Sequence, residues 1–360
     1  MGQPISIVIP AFNQLEFCRQ CLASIRLSTR RPYKLILVDN GSTDGVGEFF
    51  DAIHGAHVIH SETNRGFAGG INLGLAAAEG HVVILNSDTL VPQGWLTRLE
   101  QPLLQADDIG MVGPMTNYAS GGQHIGDLVL NGQQEIEAFA AKLAIEKAGQ
   151  TREVTRLVAF CIMIRDSVLQ NVGLFDEAYG IGNFEDDDYC VRVLRAGYRL
   201  VIAESCFVFH YGHRTFAGMG YTDDTLRTLI NTNEQVFLEK WGTHAHERSK
   251  AEQLNRQARR ALEQSDGTEA LRLFKAGIEA FPFFAGNHND LGALLWQIGE
   301  KDRAYQCFAQ ALKCDPGHRE ARENLLDAAR ALGKKADAET VLTELDRNRK
   351  DALKAPGNQQ

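Results

Sequence analysis

The apolar run Val82-Val83-Ile84-Leu85 ends in Asn86-Ser87-Asp88, and roughly a hundred residues later the chain reads Glu185-Asp186-Asp187-Asp188 before a second apolar stretch. A carboxylate at a strand end is placed to hold a hard divalent cation against a diphosphate, because such cations take oxygen ligands. A second carboxylate is placed to take a proton from an attacking hydroxyl. Together they describe metal-assisted transfer of a group from a diphosphate donor to an acceptor hydroxyl. Acids also suit a helix start for dipole reasons alone. The preceding Gly180-Ile181-Gly182-Asn183-Phe184 adds glycines that let a backbone approach a ligand closely.

The elements that must carry these groups are legible as alternating patterns. Strands are expected over residues 5–9, 34–38, 57–60 and 82–85, with helices over 15–27, 45–53 and 69–78 between them. Such alternation predicts a mostly parallel sheet with helices on both faces. Ligands in these sheets sit at the carboxyl ends of strands. Those ends read Pro10-Ala11-Phe12-Asn13, Asp39-Asn40-Gly41-Ser42 and Asn86-Ser87-Asp88. Farther on, a helix is expected near 135–147, a strand over 157–165, a helix over 186–196, and strands over 199–203 and 207–209. Gly212, Gly218 and Gly220 then mark an expected mobile loop.

Bulk properties narrow the class. The chain has 360 residues, 44% hydrophobic and 23% charged, ordinary for a globular protein with room for two domains. A net charge of −9 argues against general nucleic-acid binding. No basic leader precedes the first apolar run, and no apolar run is long enough to span a bilayer. Seven cysteines without framework spacing fit a reduced, cytoplasmic protein. Cys18 and Cys21 have redox-pair spacing but fall inside an expected helix, where they read as packing positions.

Five stretches in order carry a resemblance: Val8 to Asn13, Leu37 to Asp44, Asn64 to Asn72, Leu85 to Thr89 and Phe184 to Asp188. The amino-terminal two-thirds resembles a family-2 inverting glycosyltransferase of GT-A fold, close to rhamnosyltransferase-like bacterial members. The resemblance implies a metal-dependent site for a nucleoside-diphosphate sugar, built from Pro10, Ala11, Asn13, Asp39, Asn40, Asn64, Gly66, Phe67, Asn72, Asn86, Ser87 and Glu185. Asp39 would contact the nucleotide base, and Asp44 would mainly cap a helix. Asp88 would ligate Mn2+ or Mg2+, with Asn86 replacing an acid that the family often carries. Asp186 would be the general base, with Asp187 and Asp188 as neighbouring alternatives. His210 would complete the metal site, with His213 its rival and Arg214 within reach of a phosphate.

After residue 245 or so the pattern becomes helical throughout. Pro282 and Pro316 stand 34 residues apart, as do Ala270, Ala304 and Ala338, and Phe274 and Phe308. This period matches tetratricopeptide repeats, about three of them at 251–284, 285–318 and 319–350. The expected division is therefore 1–244 for the GT-A domain, 245–350 for the repeats and 351–360 for a disordered tail. Repeats of this kind present a groove to another polypeptide. Asn255 and Asn289, also 34 apart, are placed to meet an extended backbone there. A repeat module favours a protein acceptor, flagellin being one case by analogy. The alternatives are a rhamnosyltransferase of surface-polysaccharide synthesis and a non-catalytic nucleotide-binding scaffold.

Overall fold

The computed structural model describes residues 3–343, except 127, 129, 131 and 213–221. The chain divides into two units, Met1–Ala245 and His246–Gln360.

In the first unit, β1 (Ile5–Ala11) is buried along its whole length. Its side chains alternate between two cores. Ile5, Ile7 and Ile9 pack with Cys18, Leu22 and Ile25, whereas Val8 packs with Ala68, Ile71 and Leu75. A β-branched run buried on both faces is what a central parallel strand requires. Helix α1 (Leu15–Ser28) buries Cys18, Cys21, Leu22 and Ile25, one stripe at helical spacing. It starts where Leu15 N donates to Asp44 Oδ2 at 3.0 Å, so Asp44 satisfies a free N–H of α1.

Next come β2 (Lys34–Asp39), α2 (Val46–Asp51), β3 (Ala56–His60), α3 (Gly66–Leu75) and β4 (His81–Leu85). The sheet has eight strands in the order β3-β2-β1-β4-β8-β6-β9-β7, where β6 is Ile109–Met115, β7 Thr151–Val154, β8 Cys161–Ile164 and β9 Arg199–Phe207. The first four strands are mutually parallel, as expected. Beyond β4 two strands run against the others. Strand β8 runs antiparallel to both β4 and β6, and β7 antiparallel to β9, so the sheet is mixed. A short run buried on both faces, such as Cys161–Ile164, records no direction in its sequence.

Two further boundaries differ from expectation. Only Cys161–Ile164 of the run 157–165 is strand. Ahead of it, Leu157 N donates to Cys190 Sγ, Val158 N to Gln123 Oε1 and Ala159 N to Asp186 Oδ2, so side chains hold those amides away from the ladder. The expected break after residue 203 is absent, and β9 continues to Phe207 through a register shift opposite Pro114 and Met115. A small second sheet pairs β5 (Thr89–Leu90) with β10 (Phe209–His210), antiparallel. Helices α4 (Trp95–Gln105), α5 (Gln133–Glu146), α6 (Asp166–Val172) and α7 (Glu185–Arg195) and the helix Asp223–Trp241 complete the unit.

The second unit is helical: Ala245–Glu263 leads into Gly267–Ala280, Ala285–Gln297, Lys301–Cys314 and Arg319–Leu332. Ala270, Ala304 and Ala338 are fully buried, small residues that let helices meet closely. A Cβ on Gly292 would lie 2.7 Å from the Phe308 ring, so that contact too depends on the absence of a side chain. The expected disordered tail, 351–360, lies outside the described residues.

Candidate active site

Because β1, β2 and β4 are parallel, their carboxyl ends emerge on one side of the sheet. Asp39 ends β2 with 7% exposure. Its Oδ1 accepts from Ser42 N at 2.8 Å, and its Oδ2 meets His60 Nδ1 at 3.1 Å. The other ring nitrogen of His60 lies 3.0 Å from Asp51 Oδ1. These contacts, to Asp51 first and Asp39 second, hold the His60 imidazole above its ordinary pKa.

Asn40, next along, ties this strand end to the start of α3. Its Nδ2 donates to Asn64 Oδ1 at 3.1 Å and to Gly66 O at 2.9 Å, while its Oδ1 accepts from Arg65 N. Asn40 N in turn donates to Ala11 O. Gly70 lies against Asn40 and Pro10, where a Cβ would be 3.1 Å from the amide. Asn13 has left-handed backbone (φ 57°) and accepts from Thr43 N at 2.8 Å. Pro10, Ala11, Asn13, Asp39, Asn40, Asn64 and Gly66 thus form one hydrogen-bonded rim.

At the end of β4, Asn86 N donates to Phe160 O at 2.8 Å, and Asn86 Oδ1 is buried without a hydrogen-bond partner. Ser87 and Asp88 are 6% and 4% exposed. The β5–β10 pairing sets Thr89 opposite His210 and so brings the histidine to Asp88. His210 Nε2 lies 3.3 Å from Asp88 Oδ1, within ion-pair range but not aligned as a hydrogen bond. The ring is held firmly. Nδ1 is 2.9 Å from Tyr118 O, Phe160 stacks on the imidazole at 4.9 Å, and Asn117 bonds both His210 N and His210 O. A carbonyl only accepts, so Nδ1 carries the proton. In a neutral ring, Nε2 therefore turns a lone pair toward a buried carboxylate oxygen. His213 and Arg214 lie outside the described residues.

Helix α7 opens from a strained approach, with Asn183 at φ 75° and Phe184 at φ 74°. Its four acids have different surroundings. Asp188 is fully buried among Arg192, Lys240, Trp241 and Tyr179. Asp187 is gripped by Arg156 through Nε–Oδ1 at 2.5 Å and Nη2–Oδ2 at 2.9 Å. Among the described residues Asp186 meets no cation; its Oδ2 accepts from Ala159 N at 3.1 Å and its Oδ1 from Asp187 N at 2.9 Å. Burial, then the Asp187 charge, pushes Asp186 up to about 6. Glu185 Oε2 is buried without a partner, and burial raises that carboxyl well above the usual range.

The segment that delivers these acids is pinned to α3. Asn72 donates to Phe175 O and Glu177 Oε1 and accepts from Phe175 N, which commits its amide to that segment. Phe67 N donates to Ile181 O at 3.1 Å. Gly66, at φ 75°, lies so close to Gly180 that a Cβ would overlap the Gly180 carbonyl oxygen. From the helix Asp223–Trp241, Asn233 Nδ2 reaches the carbonyls of Tyr179, Gly182 and Asn183. Asn233, Asn117, Arg156 and His60 are supports that sequence reasoning did not find, since each is a lone polar residue whose partner is remote in sequence.

Cys18 and Cys21 are buried and unbridged, both pushed up to about 12 by burial, which leaves no reactive thiolate. In the second unit, Asn255 and Asn289 are 6% and 0% exposed. Both donate to Asp290, whose carboxylate also takes a two-point contact from Arg259, and Asn289 Oδ1 accepts from Asn324. Their amides are bonded within the repeats.

Comparison with known proteins gives the arrangement its kinship. Residues 6–173 match the model of Glycosyl transferase family 2, and residues 255–318 and 289–352 match that of the tetratricopeptide repeat. Glycosyltransferase GlyG of Streptococcus pneumoniae serotype 4 is 32% identical over 123 residues, which are 33% of this chain and 41% of that protein. The chain therefore spans less than half the length of that relative. N-acetylglucosaminyl-diphospho-decaprenol L-rhamnosyltransferase of Mycobacterium tuberculosis is 23% identical over 237 residues, 59% of this chain and 77% of that protein. The crystal structure of GalNAc-T7 with UDP, GalNAc and Mn2+ superposes with a TM-score of 0.51 at 15% identity, covering 78% of this chain and 57% of that one. That likeness establishes a GT-A fold. Over residues 6–173 the chain carries a Glycosyl transferase family 2 domain, with tetratricopeptide repeats following.

Proposed function

We propose that the protein is a metal-assisted inverting glycosyltransferase that moves a sugar from a nucleoside diphosphate to an acceptor hydroxyl. One observation carries the reading. Phe160 accepts from Asn86 N and stacks on His210, while the adjoining Ala159 N–H holds Asp186. Two consecutive residues thus join the Asp88–His210 pair to the acid at the start of α7. Asp39 is assigned to the nucleotide base, and Asp186 to the acceptor proton.

Asp88 and His210 fit a divalent cation. A buried carboxylate oxygen without a hydrogen-bond partner faces an imidazole lone pair, a pairing that a shared cation relieves. Among the described residues no group of three or more His, Cys, Asp or Glu side chains gathers. Two protein ligands suit Mn2+ or Mg2+, whose other positions go to phosphate and water. When bound, the ion would offset charge gathering on the leaving diphosphate. Asp186, fixed by two N–H donors, takes the proton from the acceptor. A base near 6 is mostly ionised at neutral pH, when it is needed.

The repeats favour a protein acceptor, with flagellin the first to test. A groove role for Asn255 and Asn289 would require their bonds to Asp290 to exchange for acceptor contacts. The second reading, a rhamnosyltransferase of surface-polysaccharide synthesis, is favoured by the likeness to the mycobacterial enzyme. No described helix is long and apolar enough to cross a membrane. The test is incubation of purified protein and Mn2+ with labelled UDP- and dTDP-sugars in lysate from cells lacking the gene. Label in a discrete protein band supports the first reading, label in the organic extract the second. No label from any donor, with nucleotide binding intact, returns the chain to a non-catalytic scaffold.

A further inference from the structure

The acid that takes the proton is held by a segment that also carries a guanidinium. Arg156 precedes Leu157–Phe160, the stretch whose amides are turned away from the sheet. Two residues separate its two deliveries: the Arg156 fork closes on both oxygens of Asp187, and Ala159 N reaches Asp186 Oδ2 at 3.1 Å. The third guanidinium nitrogen, Nη1, is fixed by Ser120 Oγ at 2.7 Å, so the fork is oriented from a separate part of the chain. Asp187 N, in turn, donates to Asp186 Oδ1. Both oxygens of Asp186 are therefore held by backbone groups whose own positions depend on the Arg156–Asp187 pair.

We infer that Arg156, locked to Asp187, is a positioning residue for Asp186. The inference rests on the reading of Asp186 as the base. The groups that face Asp186 are Glu185 and Asp187 on its own helix, Cys190 one turn on, and Arg156 with Ala159 N–H from the segment packed against it. Glu185 and Cys190 are both raised by burial. Among the described residues, the opposing charges that bear on Asp186 are the Asp187 carboxylate and the Arg156 guanidinium. Asp187 raises Asp186 and Arg156 lowers it. The two act in opposite directions, the Asp187 charge the larger. Removing either one must move the proton affinity of Asp186 in a direction set by the charge removed.

Arg156→Gln is expected to shift the acid limb of the kcat profile upward by about 1 pH unit, a loss of about fivefold at pH 6 that approaches tenfold at lower pH. Asp187→Asn is expected to shift it downward, and the double variant to return it toward wild type. Arg156→Lys should rescue part of the shift, since lysine keeps the charge but not the two-point fork. A purely structural role would lower rates at every pH without separating the limbs. The same series is read without activity by carboxylate 13C NMR titration, with Asp186 assigned by difference against Asp186→Asn. Opposite displacement of the Asp186 midpoint in the two single variants supports the inference. Midpoints that stay together, or move the same way, overturn it. Opposite NMR displacements in a protein that transfers no sugar leave the pair's control of Asp186 standing and remove Asp186 from the base role.

Discussion

His210 Nε2 faces Asp88 Oδ1 across 3.3 Å with the ring's proton committed on its far side to Tyr118 O. On the proposed reading a divalent cation is shared by this pair. Chelation should abolish transfer, and Mn2+ or Mg2+ should restore it. Asp88→Asn or His210→Ala should cost on the order of 100-fold in turnover at fixed metal and raise the metal concentration needed for half-activity. Full activity in chelator would end this assignment.

Among the described residues Asp186 makes no contact with a cationic side chain, unlike Asp187 and Asp188. Replacement by Asn should lower turnover about 10²–10⁴-fold. Calorimetry should find nucleoside-diphosphate binding unchanged. Loss of binding in step with turnover would instead place Asp186 in the donor site.

Gly66 has a left-handed backbone and abuts the Gly180 carbonyl. Gly66→Ala should destabilise the first unit by at least about 2 kcal/mol, from backbone strain together with displacement of the 180–181 turn. A thermal melt is the measurement, and an unchanged midpoint would show that the turn yields freely.

His60 carries a pH signature. Its folded-state pKa is raised, so its contribution to stability is complete below the unfolded value near 6.5 and is lost as pH rises through the higher folded value. Stability of the wild type should fall across that window relative to His60→Gln. The ring is 47% exposed, so the effect is small and is best read as a difference between the two melting-versus-pH curves. Parallel curves would show that the bridge between Asp39 and Asp51 contributes nothing.

Asp290 gathers Arg259, Asn255 and Asn289 in the repeats. Asp290→Ala leaves two buried amides short of an acceptor and should cost about 2 kcal/mol. Arg259 is 55% exposed and will find water. Hydrogen exchange should show faster opening confined to the helices Ala245–Glu263 and Ala285–Gln297.

The parts of the site legible in the sequence are those that punctuate regular elements. Asp39 and Asp88 follow apolar strands, and Asp186 opens a helix, so each is marked by the pattern it interrupts. The repeat period was equally plain, because Ala270, Ala304 and Ala338 must be small at every helix crossing. Strand direction was not legible: Cys161–Ile164 reads the same either way. Nor were the supports, since Asn233 grips carbonyls some fifty residues away and Arg156 meets Asp187 across 31. The match to the family model ends at residue 173, ahead of α7, so the proposal of Asp186 as base rests on the local motif and the resemblance it carries.

Asn72 holds Phe175 across 103 positions, and Gly66 makes room for Gly180. Helix α3 and the segment leading into α7 are therefore not independently exchangeable. A chimera that grafts residues 173–184 from a relative in order to change the acceptor would have to bring matching partners for Asn72, Gly66 and Asn233. Splice points placed between the motifs, where the sequence looks most permissive, would cut through the contacts that keep the two halves of the site in register.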